Sequence, residues 1–173
     1  MPEFAIQFAS LLPADVLDID MLLDARFGPA RRGRTAYRLR DGMAAIPGLS
    51  FVARNGAALV GSLQSWPLQL RAGNAVHPLI LLGPVAVAAD RQGEGIASAL
   101  MSRALTAADA AGAPPIVLIG DAPFYGRFGF AADATRHWVL PGPVDRARLL
   151  LRGGAALPVH GALEPGVSRR AAA

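Results

Sequence analysis

The sequence predicts an α/β fold of the α+β kind: a mixed, mainly antiparallel central sheet with a splayed parallel strand pair, flanked by helices. Three observations lead there. Leu49 to Val87 is a succession of strand-like runs punctuated by Asn55-Gly56 and Ala72-Gly73-Asn74, which reads as an antiparallel meander. The last of these runs leads into a helical stretch and then the short apolar Ile116-Val117-Leu118-Ile119; a strand–helix–strand crossover of that length implies two parallel strands. Pro84 stands inside the strand that starts the crossover. It suggests a bulge at Gly83-Pro84, where ladder pairing is lost and the strand bends away from its neighbour.

Taken in order, Glu3 to Ala9 alternates weakly and reads as a first strand. Asp15 is a plausible N-cap for a helix in which Val16, Ile19, Leu22, Leu23 and Phe27 recur at helical spacing up to Gly28. Pro29 closes it, and Arg31 to Arg40 reads as a second, more polar helix. Leu49 to Arg54 is a strand, Asn55-Gly56 a type I′ hairpin turn, and Ala57 to Leu70 the returning strand, with Ser62, Gln64 and Trp66 on one face and Gly61, Leu63 and Ser65 on the other. Val76 to Val87 follows. Ile96, Leu100, Ala104, Leu105 and Ala108 form one face of a helix ending at Gly112, before Pro114-Pro115. Arg136 to Leu140 reads as a strand, Asp145 to Arg152 as a short helix between Pro143 and Gly153, and the residues from about Gly166 as a loose tail. Phe4 to Leu140 carries the recognisable pattern, so a domain over 1–140 and a C-terminal extension over 141–173, packed on it or trailing from it, are expected.

With 173 residues, of which 53% are hydrophobic, the chain supports one globular core and argues against disorder. The longest uncharged apolar run, Pro78 to Ala89, is too short to span a bilayer, and the N-terminal stretch lacks a basic region and is interrupted by Glu3, Asp15, Asp18 and Asp20. No membrane association is expected, and the cytoplasm is the expected location. The absence of cysteine excludes disulfides and thiolate chemistry. His77, His137 and His160 are scattered without metal-ligand spacing, so no metal is expected. The net charge of +4 is modest. Arg31, Arg32, Arg34, Arg38 and Arg40 form the one basic cluster, for which a solvated helix face is favoured over an acidic or nucleic-acid partner.

The stretch from Leu81 to Leu100 organises the chain. It reads as a buried strand, a glycine-rich loop and the first turns of a helix. Gly93 and Gly95 permit a tight turn in which successive N–H groups face one anion, and the helix start adds unpaired N–H groups and the positive end of its dipole. A phosphate or pyrophosphate suits such a loop. A Walker loop is excluded because the chain has no lysine, and a Rossmann fingerprint because Ser98 follows Gly93-x-Gly95 where glycine is required. The spacing that fits is [QR]-x-x-G-x-[GA], here Gln92-x-x-Gly95-x-Ala97, which resembles the pyrophosphate loop of the GNAT superfamily of N-acetyltransferases. A second motif follows in the expected order. Gly120-Asp121-x-x-Phe124-Tyr125-x-Arg127-Phe128-Gly129-Phe130 resembles the short helix and turn of GNAT enzymes, in the form of one bacterial branch of predicted N-acetyltransferases.

The resemblance implies a GNAT-like fold and acetyl-CoA as acyl donor. Backbone amides of Gln92, Gly93, Gly95, Ile96 and Ala97 would hold the pyrophosphate, with Ser98 adding a hydroxyl; Arg91 and Arg127 are each either a further phosphate contact or a surface charge. The splayed strand around Val85, Ala86 and Val87 would align the pantetheine arm. The acceptor is expected to be a small-molecule or peptide amine that attacks the thioester directly. Its specificity is sought around Asp24, Phe27 and the arginine cluster, where the resemblance places the acceptor side. Tyr125, rotated about 100° from Phe124 on a helix, is the candidate general acid for the departing thiolate, its bland counterpart being a core tyrosine. Ile80 to Val87 carries no carboxylate, so no general base is assigned, with a water relay and a residue of the first two helices as the alternatives. A catalytically silent acyl-CoA-binding module, an arginine-rich nucleic-acid binder, transfer of a longer acyl group and a homodimer remain as alternatives.

Overall fold

The computed structural model describes residues 5–167. Glu3 and Phe4, expected in the first strand, and the expected tail beyond residue 167 lie outside the described residues. Among the described residues one sheet runs in the order β1 (Gln7–Ser10), β2 (Phe51–Asn55), β3 (Ala58–Ala72), β4 (Ala75–Val87), β5 (Ile116–Ile119) and β7 (Leu149–Arg152). Two more strands, β6 (His137–Val139) and β8 (His160–Pro165), pair in parallel, and β8 adds antiparallel to Leu68–Arg71 of β3. The helices are α1 (Val16–Phe27), α2 (Thr35–Leu39), α3 (Ile96–Ala110) and α4 (Ala122–Tyr125). None is long and apolar enough to cross a membrane. The fold is thus the expected mixed α/β one, mostly antiparallel, with β4 and β5 parallel at Ile80↔Ile116 and Leu81↔Val117.

The chain divides into two compact units. The first comprises Met1–Arg31, Ile46–Ser65 and Pro84–Gly112. Here β2 and the first half of β3 carry helices on both faces. Ile19, Leu22 and Leu23 of α1 pack with Val52 and Ala86 on one side. On the other side α3 buries Ile96, Leu100, Met101, Ala104, Leu105 and Ala108, the expected stripe with Met101 added. Both faces of β3 are therefore covered, and every residue from Val60 to Ser65 is buried. Gly61 is what lets α3 come so close: a Cβ there would lie 2.8 Å from Ile96 Cγ2 and 3.2 Å from Leu100 Cδ1.

The second unit comprises Arg32–Ala45, Trp66–Gly83 and Ala113–Ala173. Its core surrounds Trp138, which is fully buried with Leu68, Leu70, Leu81, Val117 and Leu149. The indole N–H donates to Pro158 O at 2.9 Å, so its polar atom is satisfied inside an apolar cluster. β5 is paired on its other side, antiparallel, with β7.

Four local expectations differ from what is found. Asp145 to Arg152 is no helix: Asp145 caps a single 3₁₀ turn at Arg146–Arg148 by accepting from Ala147 N–H, and Leu149–Arg152 continues as a strand because the leucines are buried beside β5. The arginine-rich stretch is not one helix either, but a 3₁₀ turn at Pro29–Gly33 followed by the five residues of α2. The hairpin turn after β2 has Gly56 and Ala57 at its centre, since Asn55 pairs with Ala58. Type I′ needs positive φ at both central residues, and here Gly56 has φ 59 while no described non-glycine residue has positive φ. Asp15 does not cap α1 with its side chain; its Oδ2 accepts from Leu12 N–H at 2.8 Å, one turn earlier.

The contact at Gly61 yields a stability prediction. Gly61→Val forces a branched side chain against the stiff Ile96, and overpacking of this kind costs about 1–3 kcal/mol. Urea unfolding should show that loss with an unchanged m-value. Wild-type stability in the variant would mean that α3 does not press on β3 at this point.

Candidate functional site

The glycine loop is built as its residue types require. β4 ends at Val87, a 3₁₀ turn covers Ala89–Arg91, and Gln92 is extended. Gly93 (φ 83) and Gly95 (φ 76) both lie in the left-handed region, and Gly95 is the N-cap of α3. The first bond of the helix runs from Ala99 N–H to Gly95 O at 2.9 Å, which leaves the N–H groups of Ile96 and Ala97 without carbonyls inside the helix. Residues 92–95 are exposed, whereas Ile96 is buried. Ile96 therefore contributes to the loop through its backbone only, its side chain being committed to the Gly61 contact. Arg91 pairs with Glu94 at 3.2 Å across the loop.

The expected irregularity in β4 is present. Gly83 has φ 125, Pro84 has no N–H, and Gly83 O accepts from the Trp66 indole at 2.7 Å. The strand resumes through Val85, Ala86 and Val87; Ala86 faces α1, and Val85 and Val87 are half-buried.

In the second unit the aromatic motif makes a tight setting for Tyr125. Asp121 N-caps α4, and its carbonyl accepts from the N–H groups of Phe124 (3.1 Å) and Tyr125 (3.0 Å). Gly129 (φ 87) closes the 3₁₀ turn that follows. The Tyr125 ring stands edge-on to Phe124 at 4.8 Å and to Phe130 at 6.3 Å. It also lies against the backbone of Gly120, where a Cβ would come within 2.3 Å of Tyr125 Cε2. The glycine of the motif is thus a seat for the tyrosine, a role the sequence pattern did not reveal. Phe124 and Phe128 are in contact at 5.6 Å, as their spacing suggests, and the Arg127 guanidinium lies over the Phe124 ring at 4.8 Å. Burial, helped by the Asp121 carboxylate and opposed by Arg148, pushes the Tyr125 hydroxyl up to about 12.

The basic cluster does not form one solvated face. Arg31 is 1% exposed, and its guanidinium binds Asp24 at 2.7 Å and Asp20 at 2.9 Å. A charge so placed needs partners, and α1 supplies both. Arg38 donates to Pro141 O, and Arg40 lies between the rings of Tyr37 (3.8 Å) and Trp66 (4.3 Å). Among the described residues no group of three histidine, cysteine or acidic side chains is arranged to hold a metal ion. His137 and His160, register partners on parallel strands, stack at 5.0 Å.

A sheet that pairs β4 with β5 in parallel, and a helix that begins on a left-handed glycine, define the class of mixed α/β fold to which the chain belongs. The acetyltransferase (GNAT) domain model matches residues 15–132, over half of the chain, and the chain belongs to that family of N-acetyltransferases. Many solved structures are similar to it, two of them over nearly the whole chain. The GNAT-family N-acetyltransferase YhbS of Escherichia coli, in complex with CoA, superposes with a TM-score of 0.73 at 22% identity, over 95% of this chain and 92% of that one. A GNAT-family acetyltransferase of Brucella melitensis, in complex with acetyl-CoA, gives 0.68 at 28% identity, over 92% of this chain and 95% of that one. Among curated proteins none matches this chain.

The raised Tyr125 value can be measured directly. Because the folded value exceeds the ordinary value of about 10, this group leaves stability unchanged below about pH 10 and lowers it as pH rises toward about 12. The chain has two tyrosines, so Tyr37→Phe leaves Tyr125 as the single reporter. Its phenolate absorbance should rise with a midpoint of about 12 in the folded protein and about 10 in denaturant. A midpoint near 10 in both would contradict the burial.

Proposed function

We propose that this enzyme moves the acetyl group of acetyl-CoA to a primary amine of a small molecule or peptide, by direct attack of the amine nitrogen on the thioester carbonyl. The observation that carries the donor assignment is the loop in which Gly93 and Gly95 turn left-handed immediately before a fifteen-residue helix. Backbone amides of Gln92, Gly93, Gly95, Ile96 and Ala97 take the pyrophosphate oxygens, and the Ser98 hydroxyl adds one donor. Charge-assisted bonds of this kind contribute about 1.5–3 kcal/mol each. The CoA and acetyl-CoA complexes of the two similar structures support this reading.

The backbone at Val85, Ala86 and Val87 follows the irregularity at Gly83 and aligns the pantetheine arm, so that catalysis comes mainly from orientation. In the reaction a C–N bond forms, the C–S bond breaks, and the sulfur leaves as a thiolate. Tyr125 meets that developing charge. Its hydroxyl stays protonated at neutral pH, but with a value of about 12 it is a weaker acid than an ordinary thiol at about 8.5. Full proton transfer to sulfur from this group is uphill, so Tyr125 serves chiefly as a hydrogen-bond donor to the thiolate. A cysteine-free chain is consistent with the cytoplasm as its location.

Two variants test this reading. Gly95→Glu puts a carboxylate into the pyrophosphate path at a left-handed position. Calorimetry should show at least a tenfold loss of CoA affinity in a protein that circular dichroism shows to be folded, and unchanged affinity would refute the loop assignment. Tyr125→Phe keeps the ring against Gly120 and removes only the hydroxyl. Losing a hydrogen bond to developing charge should lower kcat about 10- to 100-fold, with CoA affinity and Tm nearly unchanged. Normal kcat with a lowered Tm would return Tyr125 to the role of a packing residue.

A further inference from the structure

Ser62 and Gln64 lie on the face of β3 that is covered by α1. Ser62 stands opposite Val52 in the ladder, and Val52 packs with Ile19, Leu22 and Leu23, so the two side chains share that face. Gln64 follows two residues on. Ser62 is fully buried and Gln64 is 7% exposed. Ser62 Oγ and Gln64 Oε1 have no hydrogen-bond partner among the described residues. Buried polar atoms in folded proteins are nearly always paired, and an orphaned one is costly. Two such oxygens in a row form an acceptor pair for a group that brings N–H donors. Side chains two apart on a strand point to the same face, so both oxygens are offered on the side that α1 covers.

The charges around this face make the pair selective. Each carboxylate of α1 and the turn before it is already matched. Arg31 binds Asp20 and Asp24, and Arg54 of β2 binds Asp15 at 2.7 Å and Asp18 at 3.0 Å. The remaining charge on α1 is Arg26, and β4 from Ile80 to Val87 has no titratable side chain. An amine that enters here meets neutral oxygens and no unmatched carboxylate of α1 or β4. Desolvation without a counter-ion favours the uncharged form of an amine.

Resting on the acetyl-transfer reading above, we propose that Ser62 and Gln64 orient the acceptor as a neutral amine, and that the enzyme consequently selects weakly basic primary amines, represented by the α-amino group of a peptide, over lysine-like alkylamines. The lone pair of the neutral amine attacks the carbonyl carbon, the C–N bond forms and the C–S bond breaks. The proton that the nitrogen then sheds ends on the departing sulfur. The products are an amide and a thiol, and no carboxylate base is required.

The test compares two probes by thiol release at saturating acetyl-CoA: the amide of the dipeptide Ala-Ala, with an amine near 7.7–8.0, and Nα-acetyl-lysine amide, with one near 10.4. The neutral fractions alone favour the dipeptide about 10²-fold at neutral pH, and acceptor kcat/KM should rise with pH up to the pKa of each amine. Ser62→Ala and Gln64→Leu should each raise the acceptor KM about 3- to 10-fold while leaving the CoA Kd unchanged. Gln64→Glu, which supplies a counter-ion, should narrow the preference for the dipeptide. The inference is overturned by a pH profile that breaks at the same pH for both amines, by unaltered acceptor KM in both truncations, or by transfer to neither probe while CoA binds. Failure of the wild-type protein to bind CoA instead removes the acetyl-transfer reading, and this inference with it.

Discussion

The close approach of α3 to β3 at Gly61 is the constraint on which the glycine loop of the first unit depends. Ile96 is the first residue of α3 and touches the space that a Cβ at position 61 would fill. Pressing that residue onto the sheet fixes where the helix begins. The two left-handed glycines at 93 and 95 then have a short, defined path from the end of β4 to cover. The loop is exposed, yet the buried Ile96 at its end holds its helix in register. The pyrophosphate site proposed above benefits from this, because N–H groups already oriented need no reorganisation on binding.

Electrostatics on the opposite face of the same strand follows a different rule. α1 is acidic, but its carboxylates are taken up by two arginines, Arg31 from the turn after it and Arg54 from β2. Arg31 is nearly inaccessible while its partners are half-exposed, so the pairs serve chiefly to satisfy a buried guanidinium. One consequence is that each carboxylate of α1 is matched by a guanidinium. The neutral oxygens of Ser62 and Gln64 are left as the unmatched polar atoms beneath it.

Tyr125 shows how a short motif sets the environment of one side chain through packing. Gly120 leaves room for the ring, Phe124 and Phe130 flank it, and Asp121 starts the helix that carries it. The same enclosure that orients the hydroxyl raises its pKa. A group so enclosed is well suited to donating a hydrogen bond and poorly suited to surrendering its proton.

The sequence by itself determined the elements whose signals are local. The meander, the apolar stripe of α3, the parallel crossover to Ile116–Ile119 and the loop spacing Gln92-x-x-Gly95-x-Ala97 all rest on periodicity, glycine conformation or chain length, and each was legible without coordinates. Pro84 marked the same strand as irregular, because proline cannot donate to a ladder, and the irregularity found is the positive φ of Gly83. Tertiary structure decided what depends on residues distant in the chain. Leu149–Arg152 has helix-compatible residues but becomes a strand because β5 offers it a partner. Arg31 looks like a surface charge until Asp20 and Asp24, eleven and seven positions earlier, enclose it. Alternation places Ser62 and Gln64 on one face of their strand; only the packing of α1 on that face and α3 on the other buries both sides and leaves their oxygens unpaired. Burial is a property of the assembled layers, and single-strand periodicity cannot report whether the second face is also covered.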